Sequence, residues 1–273
     1  MTSHAARVAL VTGVSSGIGQ ATAVRLIGAG YRVFGTSRKA TNESFVDGME
    51  LVEADVTQDT SVDSVVSKVI GLTGRIDVLV NNAGIGIAGG AEESSTVQAQ
   101  SLFDTNVFGV MRMTRAVLPH MRHQRSGRII NISSVLGFLP APYMALYASS
   151  KHALEGYSES LDHELRTLGI RVLLVEPGYT KTSFEQNAVE SDSLMSVYQA
   201  AREHLRPLMT KALSTGDAPD VVARVVVEAA NARKPKLRYP AGPAAKRLTL
   251  LRRFAPTSVM DNGLRKQLGL DVL

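Results

Sequence analysis

The sequence predicts a single-domain α/β protein in which a doubly wound, mostly parallel sheet carries helices on both faces. Three observations lead there. Short β-branched runs alternate with segments of helical periodicity along the whole chain, the pattern of parallel strands joined by helical crossovers. The first of these runs ends directly in a glycine-rich turn that opens a helical segment. The 273 residues, 44% hydrophobic and 20% charged, suffice for a large core, and no linker interrupts them. Residues 1–273 are therefore read as one unit, with 179–215 as a substrate lid and 240–273 as a basic C-terminal extension.

Arg7–Thr12 reads as the first buried strand, bounded by Gly13. The turn Gly13-Val-Ser15-Ser16-Gly17-Ile18-Gly19 precedes the helical pattern Ala21, Val24, Leu26, Ile27. In that context glycines let backbone N–H groups and a helix N-terminus approach a pyrophosphate, although a purely structural turn has the same composition. Tyr31–Thr36 is the second strand. Beyond it, where a carboxylate would hold a ribose 2′-hydroxyl, stand Ser37, Arg38 and Lys39, with no acid before Glu43. A guanidinium there suits a 2′-phosphate, so the sequence favours NADP(H) over NAD(H).

Met49–Val56 reads as a third strand, and Asp55 at its end suits an adenine amino group or a turn. A helix over Asp59–Leu72 leads to a fourth strand, Ile76–Val80, which runs into Asn81-Asn82-Ala83-Gly84, a composition suited to a ligand crevice or a plain turn. A long helix is expected over Thr96–His123, carrying Asn106 among apolar neighbours. Arg128–Ser134 is the fifth strand, with Ile129, Ile130 and Ile132 buried and Ser133 and Ser134 at its end. From Ala145 a helical pattern runs through Leu146, Leu154, Tyr157, Leu161 and Leu165 and places Tyr147 and Lys151 on one face near its start. Ile170–Val175 is the sixth strand, Ala218–Ala232 a helix capped by Asp217 or Asp220, and Lys236–Tyr239 a last strand.

The pair on the long helix proposes a chemistry. A free phenol has a pKa of about 10, and an ammonium one turn away typically lowers a neighbouring acid by roughly 1–3 units. A serine hydroxyl from the adjacent strand end would hydrogen-bond a substrate oxygen held against that phenol. Together they make a proton-transfer site for a carbonyl/alcohol pair.

The absence of cysteine excludes disulfides, thiolate metal sites and cysteine nucleophiles, and no metal site is expected. The longest uncharged run, Ile129–Ser150, contains Pro140 and Pro142 and does not read as a membrane span. The N-terminus lacks the charge and hydropathy pattern of a secretory leader, so a cytoplasmic protein is expected. The sequons Asn42-Glu-Ser44 and Asn131-Ile-Ser133 are set aside for the same reason. The net charge of +5 arises from the tail: Ala229–Met260 holds eight basic residues and no acid, leaving 22 basic against 25 acidic residues elsewhere. That distribution argues against nucleic-acid binding. A tail packed over the substrate cleft with its basic residues in water is favoured over one lying on an anionic membrane surface.

Taken in order, Thr12-Gly13-x-x-x-Gly17-x-Gly19, Asp55, Asn81-Asn82-Ala83-Gly84, Asn106, Ser134, Tyr147-x-x-x-Lys151 and Pro177-Gly178 followed by Thr182 resemble the classical short-chain dehydrogenase/reductase family. The likeness spans roughly the first two thirds of the chain. It implies a Rossmann-type dinucleotide-binding fold, with Tyr147 as general acid/base, Lys151 lowering its pKa and holding the nicotinamide ribose, Ser134 orienting the substrate oxygen and Asn106 supporting a proton relay. Ser134 is chosen over Ser133 because the family's serine lies thirteen residues before its tyrosine. The implied cofactor contacts are Gly13, Ser15, Ser16, Gly17, Ile18, Gly19, Ser37, Arg38, Asp55, Val56, Asn82, Ala83, Gly84, Tyr147, Lys151, Pro177, Gly178, Thr180 and Thr182. Ala153-Leu-Glu-Gly156, Glu159-Ser-Leu161 and Lys236-Leu-Arg-Tyr239 look like the hydroxysteroid and retinol dehydrogenase branch, which implies a small lipophilic ketone or secondary alcohol, while the family likeness implies a homodimer or homotetramer through the helices containing Asn106 and Tyr147. The alternatives are an NAD-dependent alcohol dehydrogenase of the same family and a noncatalytic nucleotide-sensing protein of the same fold. A nucleotide-sugar epimerase shares the Tyr/Lys pair but needs a longer substrate domain.

Overall fold

The computed structural model describes residues 6–39, 45–46, 48–182 and 188–269. Its elements run β1 (Arg7–Thr12), α1 (Gly17–Gly28), β2 (Tyr31–Ser37), β3 (Phe45–Val46), β4 (Met49–Glu53), α2 (Asp59–Thr73), β5 (Val78–Asn81), β6 (Ile87–Ala88) and α3 (Thr96–Phe103). They continue with α4 (Gly109–Gln124), β7 (Gly127–Ile132), α5 (Ala145–Leu165), β8 (Ile170–Pro177), β9 (Val189–Glu190), α6 (Gln199–Ser214), α7 (Pro219–Asn231), β10 (Arg238–Ala241), α8 (Pro243–Phe254) and α9 (Thr257–Leu268).

One sheet is ordered β10-β8-β7-β5-β1-β2-β4-β3, and all its pairings are parallel except β3 on β4. The chain builds outward from β1 through β2 to β4 and then returns to the other side of β1 with β5. That reversal opens a crevice at the carboxyl ends of β1 and β5. The strands read as continuous apolar runs because both of their faces are covered. On one face Ala9, Val11, Val80 and Ile130 pack with Leu26 of α1 and Val222 and Val226 of α7. On the other, Leu10, Leu79 and Ile129 pack with Val65 and Val66 of α2 and Met113 and Val117 of α4. A second, two-stranded sheet pairs β6 with β9.

Several boundaries move. The third predicted strand stops at Glu53, before Asp55, and the fourth begins at Val78. The sixth extends to Pro177, and the last spans Arg238–Ala241. The helix expected over Thr96–His123 is broken by a π-helical turn, Asp104–Phe108, between α3 and α4. Neither predicted acid caps α7: Ala218 holds that position, while Asp220 in the first turn pairs with Arg25 of α1. The predicted lid contains α6, whose helical pattern is obscured by polar residues and an internal Pro207. Residues 183–187 of that lid, the sequon at Asn42–Ser44 and the last four residues of the extension lie outside the described residues. Among the described residues no helix is long and apolar enough to cross a membrane, and no acid/histidine cluster could hold a metal.

Candidate active site

The turn after β1 is built on close backbone approach. A Cβ on Gly19 would fall 2.2 Å from the Gly13 carbonyl oxygen and 2.5 Å from Asn82 Nδ2, so only glycine fits. Gly17 has φ +62°, the left-handed region, and a Cβ there would meet the Thr182 methyl at 3.1 Å. The turn is stitched to β5 by two residues. Thr12 Oγ1 accepts the N–H groups of Asn82 and Ala83, each at 3.0 Å, and Asn82 Nδ2 donates to Thr12 O and Gly13 O, each at 2.9 Å. Asn82 thus fixes the shape of the turn through its side chain. Ser15 and Ser16 are exposed, whereas Ile18 is half-buried against the core below α1. No acid occupies the first turn of α1, which leaves its positive end suited to an anion.

Ser37 lies at the end of β2, where its hydroxyl accepts the Lys39 N–H at 3.3 Å, and Arg38 beside it is exposed. Asp55 faces the same corner. Burial pushes its carboxyl up, but hydrogen bonds from Thr57 and the charges of Arg38 and Arg112 hold it below the usual range. Its Oδ1 accepts Thr57 N at 2.9 Å and Thr57 Oγ1 at 2.7 Å, which is the turn reading of Asp55. Val56 is buried against Gly109. On the other side of the crevice, Gly178 and Thr180 follow Pro177 at the end of β8, with Thr180 bridged to Asp217 through the backbone.

The residues expected to transfer protons come together where β7 meets α5. Ser134, in extended conformation just beyond β7, hydrogen-bonds Tyr147 in the first turn of α5. Lys151 follows one turn later, with its Nζ 5.6 Å from the centre of the Tyr147 ring and donating to Ile132 O at 2.9 Å. Enclosure by protein pushes the phenol up to about 12, and the Ser134 bond only partly offsets this. The lowering by Lys151 expected from helical spacing does not enter this shift, which removal from water dominates. Lys151 itself is brought down to about 8 by burial, while Glu155 one turn further on holds it up.

Asn106 sits in the π-turn and is buried. Its Oδ1 accepts Ile85 N at 2.9 Å, and its Nδ2 donates to Ile85 O at 2.9 Å and Ser150 Oγ at 3.2 Å. The amide therefore clamps the segment after Gly84 onto α5, one residue before Lys151, and reaches the lysine only through that framework.

The sequence reading missed three features. Asn81 Nδ2 donates to Asn131 Oδ1, and Asn131 Nδ2 to Ser158 Oγ, both at 2.8 Å, which ties β5 and β7 to the middle of α5. Asp162, fully buried near the end of α5, accepts Val172 N at 2.9 Å and bonds Arg166 and Arg171. Buried Glu155 and Glu176 share the Arg238 guanidinium behind Lys151. Burial and the neighbouring Glu155 charge push Glu176 up to about 7, against the pull of Arg238. Apart from the one-turn Asp162–Arg166 pair, none of these has a local motif, since the partners meet only through the packing of strands and helices.

The predicted lid is latched over the other rim. Glu93, buried, accepts Gly90 N at 2.7 Å and Met195 N at 2.8 Å and pairs with Arg202 of α6. Asp192 accepts the Ser95 N–H at 2.8 Å. An open cleft of about 1180 Å³ follows the seam between α1 and α7 and meets the expected cofactor residues at Ser16, Gly17 and Thr182. The donor set of this crevice fits a dinucleotide: a glycine-built helix N-terminus free of acids, a guanidinium at the end of β2, and an amine beside a phenol.

Residues 7–193 match the family model described as short chain dehydrogenase. The chain is 37% identical to a 3-ketodihydrosphingosine reductase of Bacteroides thetaiotaomicron, covering 95% of this chain and 97% of the relative. It is 36% identical to retinol dehydrogenase 8 of Bos taurus, over 86% and 81%. Among solved structures, a short-chain dehydrogenase from Streptomyces avermitilis superposes with a TM-score of 0.79 at 37% identity, covering 90% of this chain and 92% of that one. ElxO with NADP bound gives 0.75 at 27% identity over 89% and 100%, and a Burkholderia phymatum enzyme in complex with NAD gives 0.78 at 26% over 93% and 95%.

Proposed function

Because the chain belongs to the short-chain dehydrogenase/reductase family, we propose that it is an NADP(H)-dependent oxidoreductase acting on a lipophilic ketone or secondary alcohol, with Tyr147 as its general acid/base. The observation that carries this reading is the junction of β7 and α5, where the Ser134 and Tyr147 hydroxyls share a hydrogen bond and the Lys151 amine lies one turn away. Bound nicotinamide supplies or takes up the hydride. With a pKa near 12, Tyr147 holds its proton at neutral pH and is suited to donate it to a carbonyl oxygen as that oxygen gains electron density. The Ser134 hydroxyl, already directed at the phenol, orients that oxygen. Below about pH 8 the Lys151 ammonium stabilises the phenolate left behind.

NADP(H) is supported by exposed Arg38 at the end of β2, in the place where a carboxylate would repel a 2′-phosphate. The lipophilic substrate class is supported by the names of two relatives, a 3-ketodihydrosphingosine reductase and a retinol dehydrogenase. A homo-oligomer through α4 and α5 belongs to the same reading, supported by the half-exposed Phe108 ring just before α4. The test is a panel of hydrophobic ketones and alcohols followed by nicotinamide absorbance with both cofactors. NADPH-linked turnover of a long-chain or ring ketone is expected. A protein that binds NADPH yet turns over no member of the panel would sink the assignment.

A further inference from the structure

We propose that the outward face of α8 docks on an anionic lipid surface and holds the protein at a membrane–water interface. The inner face of the extension is accounted for: Ala245 is buried, and Leu248 and Met260 pack with Val135, Leu136, Phe138 and Leu139 on the loop that follows Ser134. The outer face is different. Lys246, Leu250 and Phe254 form one row at four-residue spacing, and Arg247 and Leu251 form the next. Phe254 is 73% exposed, Leu250 60% and Leu251 49%, and the Arg253 guanidinium lies 5.5 Å from the Phe254 ring centre. Three large apolar side chains among cations on one helix face are the pattern of a helix lying in the plane of a lipid interface.

Charge selects the occupant. Since Ala229–Met260 contains no acid, a second copy seated on the same face would bring arginine against arginine, whereas an anionic headgroup layer meets the cations and accepts the apolar tips. Position agrees with this. The inner face of the extension rests on the loop after Ser134, and at the end of α9 the Leu268 carbonyl lies 3.0 Å from His204 Nε2 of α6, so the element that carries the docked face is seated on the loop after Ser134 and against the predicted lid. A lipophilic substrate would then reach the site from the lipid phase. The inference goes beyond the oxidoreductase reading and survives its failure, because docking needs no turnover.

The test is co-sedimentation of the full chain with phosphatidylcholine vesicles containing or lacking phosphatidylglycerol. Binding to the anionic vesicles is expected, with little to the neutral ones and a loss at high salt. The variants L250S/F254S and R247E/R253E are each expected to weaken vesicle binding by more than about ten-fold while leaving circular dichroism and NADPH binding unchanged. Failure of the wild type to bind anionic vesicles, or binding that ignores headgroup charge, would overturn the proposal. So would variants that bind like the wild type. A wild-type dimer that L250S/F254S converts to monomer, with no vesicle binding by either, would assign the face to self-association instead.

Discussion

Lys151 reaches past its own helix to the end of the neighbouring strand, where its Nζ donates to Ile132 O at 2.9 Å. The same amine lies beside the Tyr147 ring, so the strand that presents Ser134 also fixes the cation that a phenolate would need. Removing the phenolic hydroxyl should therefore separate chemistry from binding. Tyr147→Phe is expected to lower kcat by at least roughly 10²–10⁴-fold, with NADPH affinity by fluorescence titration nearly unchanged. A variant that keeps most of its turnover would remove Tyr147 from its role.

Cofactor choice is expected to turn on Arg38. Arg38→Asp places a carboxylate where a 2′-phosphate would lie and should weaken NADPH by more than roughly ten-fold relative to NADH. Equal losses for the two cofactors in parallel titrations would refute the phosphate contact.

Glu155 holds the Lys151 amine up against burial, which by itself lowers it. Glu155→Gln removes that support, so the amine loses its proton at lower pH. The alkaline limb of kcat/KM should move to lower pH, by roughly one unit, with the substrate KM at acidic pH preserved. An unmoved limb would leave Glu155 with a packing role only.

Glu176 titrates near 7 in the folded protein, up from an ordinary value of 4.5, chiefly through burial. The folded chain thus binds a proton more tightly than the unfolded chain between those values, and ionisation above about pH 7 works against folding. Glu176→Gln escapes this penalty. Its stability relative to the wild type should improve by roughly 2–3 kcal/mol between pH 4.5 and pH 8 in urea titrations. A constant difference across that range would contradict the raised value.

Much of this architecture is legible because its signals are local. The β-branched run at Arg7–Thr12 is found as a strand at those same residues, and the alternation of strands with helical segments implies the parallel sheet. Tyr147 and Lys151 fall on one face because helical spacing alone decides it. What escapes depends on distant partners. The π-turn at Asn106 keeps the apolar rhythm of an uninterrupted helix, and its side chain is clamped by Ile85, 21 positions earlier. Glu155 and Arg238 are 83 positions apart and meet only because β10 takes the sheet edge beside β8. The direction of the Tyr147 shift escaped for a related reason: charge proximity can be read from spacing, while loss of solvent cannot.

Helix α5 is fastened to the sheet at three heights, through Lys151 to β7, Ser158 to Asn131, and Asp162 to the backbone of β8. An axial slide of even one residue would break all three fastenings at once. The spacing between phenol and strand-end serine is thus gauged by the sheet, while Glu93, Asp192 and α6 are joined at the rim by contacts of their own. Mutational drift along that rim can reshape it while the spacing between phenol and serine stays constant.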